Sequence, residues 1–317
     1  MKQNKRIKLL TITFLITGLF AGYIVLKNTS WSTTEATKLD LAIDSTSLKK
    51  LTLIHNNQTT VLTKSETGWM VNEKYNARKN LIQLLFVGLT KSELKRPIAS
   101  ENKEKVITIL KQNGTLVKTV DGNNTNSFYI ASNDNDANSS YYMKEGDAEP
   151  YIIFVPGFSG DMANLFKMSE VNWRSKVLFN STPISLQNIS ISYPSIPKSN
   201  VSIKWNTNKT FTINGVNSID STKVVTYLAQ FEQVNVDQYI YDNKELIIKG
   251  LQKNKPQAMI QVEDLSTKGS HTLKIYGEST EPKGIYAIVE PENDLIIMKP
   301  ESLFRLLVRK EFFEKKK

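Results

Sequence analysis

The sequence predicts an α+β protein in which an N-terminal transmembrane helix precedes two tandem copies of a mostly antiparallel, strand-rich module with two to three helices each. Three observations carry this expectation. Leu9 to Leu26 is an 18-residue stretch without a charge. The rest of the chain is rich in short runs that alternate apolar and polar residues between Asn, Gly, Asp and Lys turns, the pattern of antiparallel strands. The order of those runs then repeats after about 140 residues, a period too long for a solenoid and suited to a whole domain.

The elements follow in chain order. Residues 1–8 form a basic tip holding Lys2, Lys5, Arg6 and Lys8. Residues 9–26 are the anchor: at roughly 1.5 Å per residue they cover about 27 Å, close to a hydrocarbon core of roughly 30 Å. Only Lys27 follows closely, so the positive-inside rule places the N-terminus in the cytoplasm and the remainder of the chain beyond the membrane, on the periplasmic side. A cleaved signal would end its shorter apolar core at a small-residue site. Here Phe20-Ala21-Gly22 runs on into Tyr23-Ile24-Val25-Leu26, which favours an uncleaved anchor. The polar segment 27–38 reads as a flexible tether.

The first module spans 39–180 and the second 181–317, with the boundary marked by Ser181-Thr182 and Pro183. In the first, Leu51–Ile54, Val61–Lys64 and Trp69–Asn72 read as strands, and Leu81, Leu84, Leu85, Val87 and Leu89 as a helical run. The second answers with Ile189–Ser192, Val201–Lys204 and Phe211–Asn214, then Val224, Val225, Tyr227, Leu228 and Phe231. Asn102-Lys103 and Asn243-Lys244 each open a second helix. The strand pair Ser127–Ile130 with Tyr141–Met143 matches His271–Ile275 with Ile285–Val289, and Tyr151–Val155 matches Leu295–Met298. Each copy closes with a proline (Pro156, Pro300) and a short helix holding Leu165-Phe166 or Leu303-Phe304. Trp69 and Phe211 are the expected aromatic core anchors.

The net charge of +10 lies at the two ends. Residues 1–38 hold six basic side chains against Glu35, and residues 305–317 hold six against Glu311 and Glu314, which leaves the body near neutrality. A nucleic-acid partner needs a basic face on a folded domain, so none is expected. The chain has no cysteine, which removes disulfides, thiolate metal sites and a thiol nucleophile.

Candidate chemical sites are sparse, and no catalytic, cofactor or metal residue is assigned. The two histidines, His55 and His271, sit on alternating strands without acids at ligand spacing. Gly157-Phe-Ser-Gly160 lacks the G-x-S-x-G spacing of a nucleophile elbow, so Ser159 is expected in a strand-exit turn. Asp134, Asp136, Asn138, Ser140 and Glu145 partly match the oxygen positions of a calcium loop, but Ser139 stands where glycine is required and no helices flank the run. The same residues also suit a polar loop between strands. Glu263-Asp264 and Glu101/Glu104 are expected as solvated charges. No phosphate-binding glycine loop is present. The nine N-x-S/T triplets, at Asn28, Asn57, Asn113, Asn123, Asn138, Asn180, Asn188, Asn200 and Asn208, follow from a composition rich in Asn, Ser and Thr. Asp44-Ser-Thr46 and Asp220-Ser-Thr222 resemble a short O-glycosylation signal, and Asp220 also suits a helix N-cap. Ser302–Lys317 mixes apolar and basic residues; a helix end is the plain reading, a basic amphipathic end touching anionic lipid the functional one.

The run Lys144–Phe158 with Gly160, Val171-Asn-Trp-Arg174 and Phe179, together with Trp69–Asn72, Arg78 and Lys95-Arg-Pro97, resembles the domain-of-unknown-function 4340 family, common in the Bacteroidota. The chain departs from the family pattern at Ala163-Asn-Leu-Phe166, where an aromatic–basic pair is usual. The resemblance implies an inner-membrane-anchored envelope protein, related to some that associate with ABC-type transport or gliding systems. The expected function is a membrane-anchored binding or scaffold protein of the cell envelope with a protein partner and no catalysis. An accessory of a transport system and a hydrolase of envelope polymers are the alternatives.

Overall fold

The computed structural model describes residues 46–122, 124–206, 210–265 and 270–315. The basic tip, the anchor at 9–26, the tether at 27–38 and the Asp44-Ser45 pair lie outside the described residues. Among the described residues no helix is long and apolar enough to cross a membrane. The chain divides into two compact units between Arg174 and Ser175.

Unit one is a nine-stranded sheet with helices on its faces. Its strands are β1 (Leu48–His55), β2 (Gln58–Ser65), β3 (Gly68–Val71), β4 (Tyr75–Asn76), β5 (Glu93–Pro97), β6 (Thr115–Asp121), β7 (Asn124–Ser132), β8 (Ser140–Lys144) and β9 (Tyr151–Phe154). They run antiparallel in the order β4-β3-β2-β1-β6-β7-β8-β9-β5. Asn56 and Asn57, both at positive φ (48° and 60°), make the two-residue turn that sets the β1–β2 register. The helices are α1 (Lys79–Lys91), α2 (Lys103–Gln112), α3 (Ala163–Phe166) and α4 (Glu170–Trp173). Four helices stand where two to three were expected, because the closing segment makes two single turns.

The strands' two-residue period assigns the faces. Phe128, Ile130, Tyr142 and Ile153 share one cluster with Ile82, Leu85 and Leu89 of α1 and with Leu165 and Phe166 of α3. The alternate residues Ala131, Tyr141, Met143 and Ile152 share another with Val106 and Leu110 of α2. Helices therefore cover both faces at β7–β9, and the uninterrupted apolar run Tyr141-Tyr-Met143 is what a strand buried on both sides requires.

Unit two contains β10 (Val177–Phe179), β11 (Leu186–Ser192), β12 (Val201–Trp205), β13 (Phe211–Ile213), β14 (Val234–Asn235), β15 (Gln238–Tyr239), β16 (Ala258–Asp264), β17 (Ser270–Thr280), β18 (Lys283–Glu290) and β19 (Asp294–Met298). Its helices are α5 (Ser221–Leu228), α6 (Lys244–Leu251) and α7 (Pro300–Phe304). The main sheet is antiparallel in the order β13-β12-β11-β16-β17-β18-β19-β15, and β10 pairs separately with β14. That pairing, with Phe179 in the second unit's core, draws residues 175–180 into unit two, ahead of the boundary expected at 180/181.

Apart from the edge strand β4, which has no counterpart, the strands of the two main sheets follow a similar order. From β3 through β5 in unit one and β13 through β15 in unit two, the order is the same sequence of equivalent elements. The agreement extends to irregularities. The β1–β6 register shifts between Leu48 and Lys50, and the β11–β16 register between Leu186 and Asn188. The Asn72 side chain accepts from Val61 N at 2.8 Å, and Asn214 accepts from Ser202 N at 2.6 Å. The amide before each first helix donates to the carbonyl of a closing aromatic: Arg78 to Trp173 at 2.8 Å, Asp220 to Phe313 at 2.9 Å. Trp173 and Phe313 are both 0% exposed.

Four expectations need correction. A strand stands between the first two helices of each unit (β5, β15), where helix was expected to follow helix, and it crosses to the far edge beside β9 or β19. Trp69 and Phe211 are only half-buried, edge-on to Phe86 and Trp205, whereas Trp173, Phe166, Phe231 and Phe313 fill the deep core. Asp264 is not solvated: it is 7% exposed and accepts the Ser185 hydroxyl at 2.8 Å. The segment after Ser302 does not run on as a helix end through the basic residues: the helix stops at Phe304 and a separate 3-10 turn covers Lys310–Phe313, with Leu303, Leu306 and Phe313 buried in unit two's core and Phe304 and Phe312 exposed.

Candidate binding groove

Unit one carries a groove of about 350 Å³ between the end of β5, the first turns of α2 and the loop that joins β7 to β8. Its floor is apolar, made by Ile98, Val106, Ile109, Tyr141 and Ile152; its rim is polar and charged, with Lys95, Arg96, Asn102, Lys105, Asp134, Asn135 and Asp136. The lining holds eight polar or charged residues against six apolar ones, which makes it more polar than the mostly apolar pockets usual for small molecules.

One wall owes its shape to an irregular edge strand. The β5–β9 register shifts between Leu94 and Arg96, leaving Lys95 as the extra residue. Such a bulge re-aims the side chains on either side of it. Lys95 Nζ reaches Asp136 Oδ2 at 3.0 Å across the groove mouth.

The other wall is the 133–139 loop, held by its own side chains. Asn133 is buried and donates from Nδ2 to Ser139 Oγ at 2.9 Å, while its Oδ1 accepts from Asn135 N at 3.1 Å. Asp136 accepts from Asn138 N at 3.1 Å and from Ser139 Oγ at 3.0 Å. The Lys95 hydrogen bond, and then those from Asn138 and Ser139, hold the Asp136 carboxyl below its ordinary value. Asn135 Nδ2 lies 3.4 Å from Tyr141 OH. These bonds preform the wall, since each Asx turn removes freedom that a ligand would otherwise have to freeze.

This is the loop whose spacing resembled a calcium site. Several of its oxygens are engaged within the protein: Asn138 Oδ1 accepts from Gly160 N at 2.9 Å, and Ser140 Oγ accepts from Ala163 N at 3.3 Å while donating to Asp161 Oδ1 at 2.9 Å. Glu145 turns toward Lys118 at 4.0 Å. No three His, Cys, Asp or Glu side chains are grouped to hold a metal among the described residues.

The other sequence candidates do not line the groove. His55 Nδ1 is 3.1 Å from the Gly114 carbonyl, and His271 lies 3.9 Å from Glu292. Ser159 is exposed in a turn whose glycines, Gly157 and Gly160, have φ of 74° and 139°. Glu101 and Glu104 are exposed, and Asp220 caps α5 by accepting from Thr222 N and Lys223 N.

Two residue groups far apart in sequence meet at the closing end of unit one. The Arg174 guanidinium stacks 3.7 Å over the Tyr75 ring, Arg78 Nε donates to Arg174 O at 3.2 Å, and Asn72 donates to Glu170. Arg174 is 6% exposed, so this group clamps the last helix to the first strands. Lys95-Arg-Pro97, by contrast, opens onto the groove. Sequence reasoning noted both segments without placing them. The one available signal for the groove was the lysine and arginine on a strand edge ahead of a polar Asn/Asp loop.

A family model described as a domain of unknown function, DUF4340, matches residues 69–254, from β3 of unit one to the residues just after α6 of unit two. No curated protein matches the chain, and no solved structure does.

Proposed function

We propose that this chain, which belongs to the domain-of-unknown-function family DUF4340, is a non-catalytic binding protein of the cell envelope built from two copies of one module and held at the membrane by residues 9–26. The duplication rests on the matched strand order, the shared register shift, the paired Asn72 and Asn214 contacts and the paired closing aromatics. The anchored, extracytoplasmic placement rests on the uncharged 18-residue stretch and the basic residues before it.

One observation carries the binding role: a preformed groove stands in unit one, walled by a loop that has no counterpart of its length in unit two. The β7–β8 loop runs through Asn133–Ser139, whereas β17 turns into β18 through Glu281-Pro282 alone. Where two copies share a frame, a wall present in one is an elaboration, and function is grafted on such loops.

Native mass spectrometry of the full-length protein, purified from its own membranes into nanodiscs, tests this reading. The wild type should carry a bound small molecule, and Ala99→Trp, at an exposed lining position, should lose it. Identical, unliganded spectra from both proteins would refute the binding role. The placement is tested separately, using the absence of native cysteine. Ser100→Cys should react with a membrane-impermeant maleimide in intact spheroplasts, and labelling seen only after lysis would place the units on the wrong side.

A further inference from the structure

The two units differ in charge as well as in shape at the groove. In unit one Arg96 sits opposite Ile152 on β9. At the matching place in unit two, Ile240 N donates to Leu295 O, and the Ile240 side chain packs onto the apolar cluster of Ile248, Tyr276, Ile288 and Leu295. An apolar residue that closes one copy is thus replaced by a guanidinium that lines an opening in the other.

The charges on the groove do not cancel evenly. Lys95 is paired with Asp136. Arg96 and Lys105 also line the cavity, and among the described residues no carboxylate pairs with either. Asp134 stands on the opposite wall, where it disfavours an anion. The groove is therefore polarised: two cations on the β5–α2 side, an acid on the loop side, and Val106, Ile109 and Ile152 between them. Guanidinium and ammonium groups beside a partly dehydrated floor suit a phosphate or carboxylate, and the floor suits an apolar body attached to it.

Resting on the proposed binding role, we infer that this groove binds an amphipathic anion, with Arg96 and Lys105 holding its phosphate or carboxylate and the apolar floor holding its hydrocarbon or aromatic part. Either a free metabolite or the headgroup region of an anionic lipid supplies that chemistry.

Hydrogen–deuterium exchange on the full-length chain in nanodiscs of zwitterionic lipid tests the inference, with phenyl phosphate as the probe and benzyl alcohol as its uncharged counterpart. Phenyl phosphate should protect residues 98–109 and 133–139, and Arg96→Gln with Lys105→Gln should weaken that response by about tenfold or more. A parallel arm uses nanodiscs containing phosphatidylglycerol and no added probe. Protection of the same segments there, lost in the double variant, identifies a lipid as the source of the anion and supports the same assignment. Equal protection by benzyl alcohol, or a phenyl phosphate response unchanged in the double variant, overturns the anion assignment while the groove stands as a binding site. Absence of protection by either probe and in the phosphatidylglycerol arm overturns the assignment and the binding role together.

Discussion

Replacing Phe313 with alanine asks whether the C-terminal segment is a structural closure or a free basic tail. The ring is fully buried in unit two, edge-on to Tyr227 with centroids 5.3 Å apart and to Phe312 at 5.1 Å. Deleting a buried phenyl ring costs about 3–5 kcal/mol, made of lost transfer energy and the cavity left behind. The two edge-on pairs lie within that sum, at about 0.5–1.5 kcal/mol each. Backbone bonds on either side of the ring, Asp220 N to Phe313 O and Lys315 N to Ser218 O, hold the segment in place, so we expect the full range, about 3–5 kcal/mol. The Asp220 N to Phe313 O bond is a backbone contact and survives the substitution. Native-state hydrogen exchange of the full chain in nanodiscs is the assay, read at the central strands β16–β18, which open only when unit two unfolds. The equivalent Trp173→Ala should lower the opening energy of β6–β8 in unit one by a similar or larger amount. A loss below about 1 kcal/mol for Phe313→Ala, with the α5 amides undisturbed, would refute the packing account and return the segment to a solvent- or lipid-facing role.

Three further outcomes follow from the geometry. Asn72→Ala should cost about 2–3 kcal/mol and Asn214→Ala about 1 kcal/mol, because both lose a bond to a strand amide but only Asn72 also has positive φ (49°) and binds Glu170; equal losses in denaturant titrations would contradict this. Asp220→Ala should cost about 1 kcal/mol through loss of the cap on α5, seen as faster exchange at Thr222 and Lys223. Burial, then the nearby Asp147 and Tyr151, push the Tyr142 phenol up to about 12 from its ordinary value of 10.0. Below pH 10 both folded and unfolded chains keep that proton and the stability is fully present. Between about 10 and 12 only the unfolded chain releases it, so stability falls by about 2–3 kcal/mol across that window and then levels. Tyr142→Phe should remove this part of the alkaline slope, measured as the parent-minus-variant difference in urea midpoint; parallel curves would show that the phenol titrates normally.

The local rules written into particular residues determined much of the fold. Asn56-Asn57 accepts positive φ, so the β1–β2 hairpin was legible as a two-residue turn. Asp220 can accept two amide protons, so the start of α5 was legible as a cap. The alternation in Leu51–Ile54 and Ile189–Ser192, and the apolar spacing from Leu81 to Leu89, fixed strand and helix by periodicity alone.

What only tertiary structure decided involves pairing over long separations. Strand β15 is two residues long and β5 is interrupted by a bulge, so neither has a period to read; each exists because β9 or β19 offers an unpaired edge. Asp264 gave no sign of burial, since only folding brings Ser185 to it. Trp173 and Arg174 find Arg78 and Tyr75 across almost the whole of unit one. The groove depends on the same kind of meeting, because Arg96, Lys105 and the 133–139 loop come from three separated segments. Turn and helix preferences act over a few residues, whereas sheet-edge choice and cavity walls are set by which distant surfaces exclude water together.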